Sequence, residues 1–437
     1  MLTNIYNACF SIGLFPTTFK KSIIKFIPKE GKTPTNPMNY RPISLLETPG
    51  KLYEKIIQGR LNAYLTDNNI IKERQHGFRP KKGTTTAIAI THETIANALA
   101  DKNQVFVVLR DVAKAFDKVW HTGLKYKLLH LGLPPILEKT LCTFLDKRTA
   151  NISIGSDISN DIKLLSGVPQ GSVLSPTLYT IYTNDLPMAG QGCLDTMYAD
   201  DVTQIITTQS KSKNMMKIKV EREIDRINRF ERKWKIQTSE EKFKIIPLAQ
   251  YKTKQITVNG KNINTSKEGK FLGLKLQVTG ISGHATDRIN KGKATMAKLK
   301  RFENLTPNIK ATLIKTLLIP VLEYPPIPLC SLSKTQKINM QKILNRGLRF
   351  INSKEEERRT MEEIHKIHNI KPFNISTHNK ACKIWQTVRL TQEEQYEELV
   401  TPRNTTTPLV PADEYNNSGR ATRTNLHQQH KSITTVK

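Results

Sequence analysis

The chain has 437 residues, enough for two or three domains, and carries 68 Lys+Arg against 38 Asp+Glu for a formal charge of +30. That excess goes beyond what solubility needs and selects a polyanionic partner, nucleic acid first and an anionic membrane surface second. The five cysteines, Cys9, Cys142, Cys193, Cys330 and Cys382, form no C-x-x-C pair, which argues against zinc fingers, and their sparse, odd count fits a reducing compartment.

Met1-Leu2-Thr3-Asn4 has no basic run before an apolar one, so no signal peptide is expected. The chain runs straight into a helix-like segment, as a fragment of a longer protein would. Residues 1 to about 100 mix helical segments with basic, Pro-containing loops such as Lys29-Glu30-Gly31-Lys32-Thr33-Pro34. Lys51 to Leu65, just after Pro49-Gly50, reads as an amphipathic helix with Tyr53, Ile56, Ile57, Leu61 and Tyr64 on one face. Gln75 to Thr86 reads as a basic loop.

Val105 to Leu109 is a continuous apolar run of strand length, a buried strand that delivers Asp111 at its end. A helix is expected next, with Trp120, Leu124, Leu128 and Leu131 on one face and Gly132 and Pro134 as its stop. Ser166 to Gly171 is a turn-rich loop before the apolar segment Val173 to Tyr182. Tyr198-Ala199-Asp200-Asp201 then sets adjacent acids between two β-prone runs, Thr196-Met197-Tyr198 and Val202 to Ile206. This predicts a hairpin with acids at its tip.

Downstream come a long charged helix, Lys217 to Trp234, a short strand and turn at Lys270-Phe271-Leu272-Gly273, and successive helices to about Phe350. Two helices carry basic faces, Arg288, Lys291, Lys298 and Arg301 on one and Lys342, Arg346 and Arg349 on the other. In the first, Ile289, Met296 and Leu299 can face inward. A solvated face and a nucleic-acid backbone contact are both open readings of such runs. The longest apolar stretch, Leu313 to Leu329, is broken by Lys315, Glu323 and prolines, which argues against a membrane span. The tail from Thr401, rich in Thr, Asn and Gln, reads as disordered.

Adjacent acids repel, so a fold that holds them together usually supplies a cation. Carboxylate-gripped divalent metals are how polymerases clamp the attacking and leaving oxygens of phosphoryl transfer. Read alone, an Asp-Asp pair in a turn is a solvated turn, and Asp111 alone is equally a helix N-cap. If the two strands pair, Asp111, Asp200 and Asp201 converge. Such a site can hold two Mg²⁺, because each needs only one or two protein carboxylates beside phosphate oxygens and water.

Several motifs, in order, resemble those of non-LTR retrotransposon reverse transcriptases, the insect jockey-type group in particular, over nearly all of residues 1 to 390. Asn39 to Leu46 (NYRPISLL) and Gln75 to Pro80 (QHGFRP) look like fingers motifs. Asp111 to His121 (DVAKAFDKVWH), Ser166 to Pro176 (SGVPQGSVLSP) and Tyr198 to Asp201 (YADD) look like palm motifs A, B and C. Trp234 to Lys242 resembles motif D and Lys270 to Gly273 (KFLG) the primer grip.

The resemblance implies an α+β right-hand polymerase with a small antiparallel palm sheet. Its expected parts are fingers over 1–103, palm over 104–278, a helical thumb over 279–352, a helical extension over 353–400 and a disordered tail over 401–437. It implies RNA-directed DNA synthesis on an RNA template with a DNA primer and dNTPs, two Mg²⁺ ions with Mn²⁺ as the substitute, no membrane, and an intracellular setting in nucleus and cytoplasm. Asp111, Asp200 and Asp201 match the metal-binding acids, and the Val112 carbonyl would also face a metal. Phe116 matches the aromatic that excludes a ribose 2′-OH, the group separating RNA from DNA monomers; otherwise it is a core aromatic. Gln170 matches the motif B residue near nucleotide and template, beside Gly167 and Gly171, which let backbone approach closely. Arg79 matches a triphosphate contact, with Arg41 and Lys51 as further candidates. Lys242 matches the motif D proton donor to pyrophosphate.

Three positions depart from the family pattern: Arg110 where an apolar residue is usual, Ser239 for Asn, and Phe243 for Thr. A charge at Arg110 needs a partner or the strand packs badly. A non-catalytic nucleic-acid-binding relic, an RNA-dependent RNA polymerase and a basic membrane-surface protein are the competing readings. The last lacks an amphipathic anchor with an aromatic face.

Overall fold

The computed structural model describes the chain except residues 211, 249–254, 259, 281, 352–358 and 401–437. The tail expected to be disordered lies outside the described residues. Residues 1–388 make one compact unit.

In chain order, α1 (Leu2–Ser11) leads into β1 (Ser22–Pro28), β2 (Tyr40–Leu46), α2 (Thr48–Asp67) and α3 (Thr84–Ala100). Then come β3 (Gln104–Asp111), α4 (His121–Leu129), α5 (Pro135–Leu145), β4 (Arg148–Ile154), β5 (Asp157–Ile158), β6 (Ile162–Leu164) and α6 (Ser175–Thr183). The acid-tipped hairpin is β7 (Cys193–Tyr198) and β8 (Asp201–Thr208), followed by α7 (Lys213–Lys233) and β9 (Lys244–Leu248). Two further hairpins, β10 (Gln255–Val258) with β11 (Lys261–Asn264) and β12 (Glu268–Phe271) with β13 (Leu274–Gln277), precede the helices. These are α8 (Ser282–Leu299), α9 (Pro307–Leu313), α10 (Ile319–Glu323), α11 (Pro326–Cys330), α12 (Lys334–Ile351), α13 (Met361–Ile367) and α14 (Phe373–Val400). Among the described residues no helix is long and apolar enough to cross a membrane.

The fold class is α+β. One sheet runs β2-β1-β4-β5 with β6 also on β4, and β1 pairs β4 in parallel. The other runs β7-β8-β3-β9, antiparallel throughout. β3 lies inside this second sheet and is covered on both faces. Val105, Val107 and Leu109 pack with Ile205, Ile246 and the Ala87–Ile88 pair of α3. Phe106 and Val108 pack with Ile206, Ile245 and the Met216, Val220, Ile224 stripe of α7. Burial on both sides explains why the strand reads as an unbroken apolar run rather than an alternating one.

Three local expectations change in the fold. The second helix begins at Thr48, with Pro49 and Gly50 inside its first turn; Pro is tolerated there because no intrahelical N–H is lost. Its buried stripe is Tyr53, Ile57, Leu61 and Leu65, while Ile56 is 40% exposed. Asp111 is not a helix N-cap, since Val112 bridges Thr238 and turns occupy residues 113–118 before α4 begins at His121. Arg288 is buried beside Asp287 instead of lying on an exposed basic face, whereas Lys291, Lys298 and Arg301 are exposed.

Arg110, the residue before Asp111, is 3% exposed and fully answered. Its guanidinium donates to Gln204 Oε1 (3.3 Å), Asn228 Oδ1 (2.9 Å), the Ile224 carbonyl (3.0 Å) and Glu231 Oε1 (3.3 Å). Its plane also lies 5.0 Å from the Phe243 ring centroid. Two of the three departures from the family pattern thus meet each other, and the buried charge ties β3 to α7. Arg110→Met should destabilise the protein by about 3–5 kcal/mol in urea unfolding, the usual loss when one partner of a buried ion pair is removed. A loss under about 1 kcal/mol, typical of exposed pairs, would show that the network is not buried in solution.

Candidate active site

The register of the second sheet brings the acids together. Asp111 ends β3 directly opposite Asp201, the first residue of β8. Tyr198 pairs Asp201 across the hairpin, so Ala199 and Asp200 form its two-residue turn. Asp200 and Asp201 are held partly out of water and both carboxyls are pushed up, Asp201 to about 7. Burial is the larger cause for each. The charges of Asp200 and Asp111 add to it at Asp201, and that of Asp111 at Asp200, while Lys242 opposes.

Lys242 Nζ ion-pairs with Asp111 Oδ2. The loop carrying it is tied to the end of β3. Ser239 N donates to the Asp111 carbonyl (2.8 Å), Ala113 N to the Gln237 carbonyl (2.7 Å), and Val112 bridges Thr238. Among the described residues, no three His, Cys, Asp or Glu side chains form a ready metal cage.

The turns after β3 are stapled to the loop before α6. Val168 N donates to the Phe116 carbonyl (2.7 Å), and Gly167 N to that of Val119 (2.8 Å). Gln170 Nε2 donates to Asp117 Oδ1 (2.7 Å), a partner the motif reading did not single out. Gly167, at φ +87°, presses on the Asp117 backbone; a Cβ there would lie 2.7 Å from its carbonyl oxygen. On its other side the loop meets the first sheet, where Ser44 N donates to the Gln170 carbonyl (2.8 Å). Phe116 is half-buried and stacks on Tyr179 of α6, ring centroids 5.1 Å apart. The Tyr179 hydroxyl is raised well above its ordinary pKa by burial and then by the charge of Asp200.

The proposed triphosphate contacts are placed differently. Arg79 bonds Glu73 (3.1 Å) and the Lys72 carbonyl (3.1 Å), and Lys82 shares Glu73. Arg41 is exposed on β2, and Lys51 is half-buried in the first turn of α2. Among the described residues no hydrogen bond or ion pair joins these three cations to the acids.

The raised Asp201 sets a pH dependence. Its folded pKa lies above the ordinary carboxylate value, so the native state keeps a proton that the unfolded chain releases. The resulting stability is complete below the ordinary value and is lost as pH rises through about 7. Thermal melts in EDTA should show Asp201→Asn raising Tm at pH 8, with the gain shrinking toward pH 5. An equal gain at both pH values would sink this account.

The family description "Reverse transcriptase (RNA-dependent DNA polymerase)" matches residues 27–276. The chain is 31% identical over 337 residues to the RNA-directed DNA polymerase from mobile element jockey of Drosophila melanogaster, covering 74% of this chain and 36% of that protein. It is 36% identical over 214 residues to the probable RNA-directed DNA polymerase from transposon BS of the same organism, with 47% and 24% covered. The probable RNA-directed DNA polymerase from transposon X-element, again of Drosophila melanogaster, is 30% identical over 336 residues, with 74% and 36% covered. A solved telomerase from Candida tropicalis, in complex with the TWJ fragment of telomeric RNA, matches at 15% identity and TM-score 0.43, covering 90% of this chain and 65% of that one. The chain thus spans about a third or less of the length of the curated relatives named here. The family match runs through Asp111, Gln170, Asp200, Asp201 and Lys242, and the chain belongs to the reverse transcriptase (RNA-dependent DNA polymerase) family, alongside non-LTR retrotransposon polymerases.

Proposed function

We propose that this chain adds dNTPs to a primer 3′-OH on an RNA template, as the RNA-directed DNA polymerase of a non-LTR retrotransposon. The observation that carries this reading is the juxtaposition of Asp111 and Asp201 across β3 and β8, with Asp200 in the adjoining turn. Asp111, Asp200 and Asp201 would hold divalent ions. The donor set is all carboxylate oxygen, which suits Mg²⁺ or Mn²⁺, and one or two such ligands suffice when phosphate and water complete the shell. When bound, such ions activate the attacking hydroxyl and neutralise charge on the phosphates.

The protein's own groups have distinct tasks. Lys242 ion-pairs with Asp111, and in turnover it is the candidate proton donor to pyrophosphate. Phe116, backed by Tyr179, supplies a rigid wall for the sugar. Gln170, held by Asp117, faces nucleotide and template. Arg79, Arg41 and Lys51 are proposed to meet the triphosphate, which requires Arg79 to exchange Glu73 for it. The buried, satisfied Arg110 removes the packing objection that favoured a non-catalytic relic.

Primer extension on an RNA template with dNTPs against NTPs tests this reading. Asp200→Asn should abolish extension while template–primer binding persists. Phe116→Val should admit ribonucleotides; discrimination equal to the parent's would make Phe116 a core residue only.

The basic face of α8 and the turn after it is proposed to follow the template–primer backbone through Lys291, Lys298 and Arg301, with the buried Arg288 excluded. Phosphate contacts release counterions, so log Kd should vary with log salt by roughly 0.7–0.9 per phosphate neutralised. Lys298→Glu with Arg301→Glu should weaken binding of every sequence alike and flatten that dependence, leaving dNTP selection intact. An unchanged salt slope would assign these cations to a solvated face.

A further inference from the structure

The QHGF segment has a role that the motif comparison does not supply. Arg74 to His76 lies along β7 as an extra edge. Met197 N donates to the Arg74 carbonyl (2.7 Å), His76 N donates to the Met197 carbonyl (2.8 Å), and Gln75 bridges Met197 in parallel. Gln75 is 3% exposed, and its Oε1 accepts from two backbone amides, Gly77 N (2.8 Å) and Ala199 N (3.1 Å). Its Nε2 is buried with no hydrogen-bond partner among the described residues. The side chain therefore acts through its carbonyl oxygen. His76, 2% exposed, anchors the segment to the start of α3 through Thr86 Oγ1 (3.0 Å). Gly77 lies so close that a Cβ there would stand 2.5 Å from Ala199 N.

Ala199 is where this support matters. It has φ +56° and is buried, directly before Asp200. A two-residue hairpin turn with positive φ at its first position usually has Gly there, because a Cβ makes that conformation costly. A buried amide without a partner adds a further cost. Gln75 supplies the partner and Gly77 the surface against which the turn rests.

We infer that Gln75 is a positioning residue: its side-chain carbonyl holds Ala199 in the left-handed conformation and so aims Asp200 beside Asp111 and Asp201. This rests on the polymerase reading above. The test compares Gln75→Met, which has similar length and no acceptor, with Gln75→Glu, which keeps the acceptor. Three quantities are measured: Mn²⁺ binding by electron paramagnetic resonance, single-nucleotide extension, and metal-free template–primer affinity. Gln75→Met should lower Mn²⁺ affinity and extension rate roughly 10- to 100-fold, the range for groups that orient metal ligands. Its metal-free template–primer affinity should not change, and Gln75→Glu should retain both Mn²⁺ binding and extension.

A Met variant equal to the parent overturns the inference, as does a Glu variant that loses as much as Met. Loss of metal-free template–primer binding in the Met variant also overturns it, because Gln75 then holds the fold rather than the acid. A parent that neither binds Mn²⁺ nor extends a primer overturns the polymerase reading and this inference with it. A parent that does both, beside a Met variant that also does both, overturns the positioning role alone.

Discussion

Like-charge repulsion among three carboxylates is the constraint on which the rest of this structure turns. Asp111 and Asp201 face each other across two strands, and Asp200 stands in the adjoining turn. Two unit charges of the same sign 4 Å apart repel by about 4 kcal/mol at the effective dielectric of a protein surface. The fold resists that force by burying the strand that carries Asp111 between two neighbours. It sets one ammonium, that of Lys242, against the acids. Burial first, and then the charges of Asp200 and Asp111, push the pKa of Asp201 up to about 7. Stability is given up locally to keep a concentrated negative field in place, a common condition of functional sites.

The segments that flank this field are held by polar groups rather than by apolar packing alone. Glu54, buried in α2, accepts from Ser172 Oγ (2.5 Å) and from the backbone amides of Val173 (2.6 Å) and Leu174 (3.3 Å). It fixes the end of the loop that carries Gln170, and burial pushes its own carboxyl up. Asp117 holds Gln170 from the other side, and Arg110 joins the acid-bearing strand to α7. Each staple is a hydrogen-bonded charge in a partly dry site. Such contacts are stronger than in water and costly to leave half made. Loops that carry chemistry gain the rigidity of the scaffold in this way without becoming part of a sheet or helix.

Local periodicity was readable wherever one element's burial decided its pattern. Val105 to Leu109 is a strand covered on both faces, and the charged segment ending at Trp234 is an amphipathic helix on the second sheet. Tyr198 to Asp201 is the hairpin tip. Expectations failed where a neighbour outside the window decided the outcome. Ile56 lies off the stripe through Tyr53, Ile57 and Leu61, and the core is filled without it. Arg288 reads as one of a basic row, but Asp287 and the Gly273 carbonyl draw it inward. The alternative reading of Asp111 as a helix N-cap fails because the helix that follows starts only at His121, the intervening backbone bonding to residues around Gly167 and Gln237.

The sequence by itself determined the family, the identity of the three acids and the order of the segments that surround them. Those depend on residue type and spacing along the chain. Only the tertiary structure decided that Arg110 is answered by Glu231 and Phe243, that Gln170 leans on Asp117, and that Gln75 supports the turn at Ala199. Each of these contacts joins residues 53 to 133 positions apart. No periodicity within a single element encodes such a pairing. It appears only when the sheet register, set by burial of the β3 side chains on both faces, brings the distant segments to the same edge.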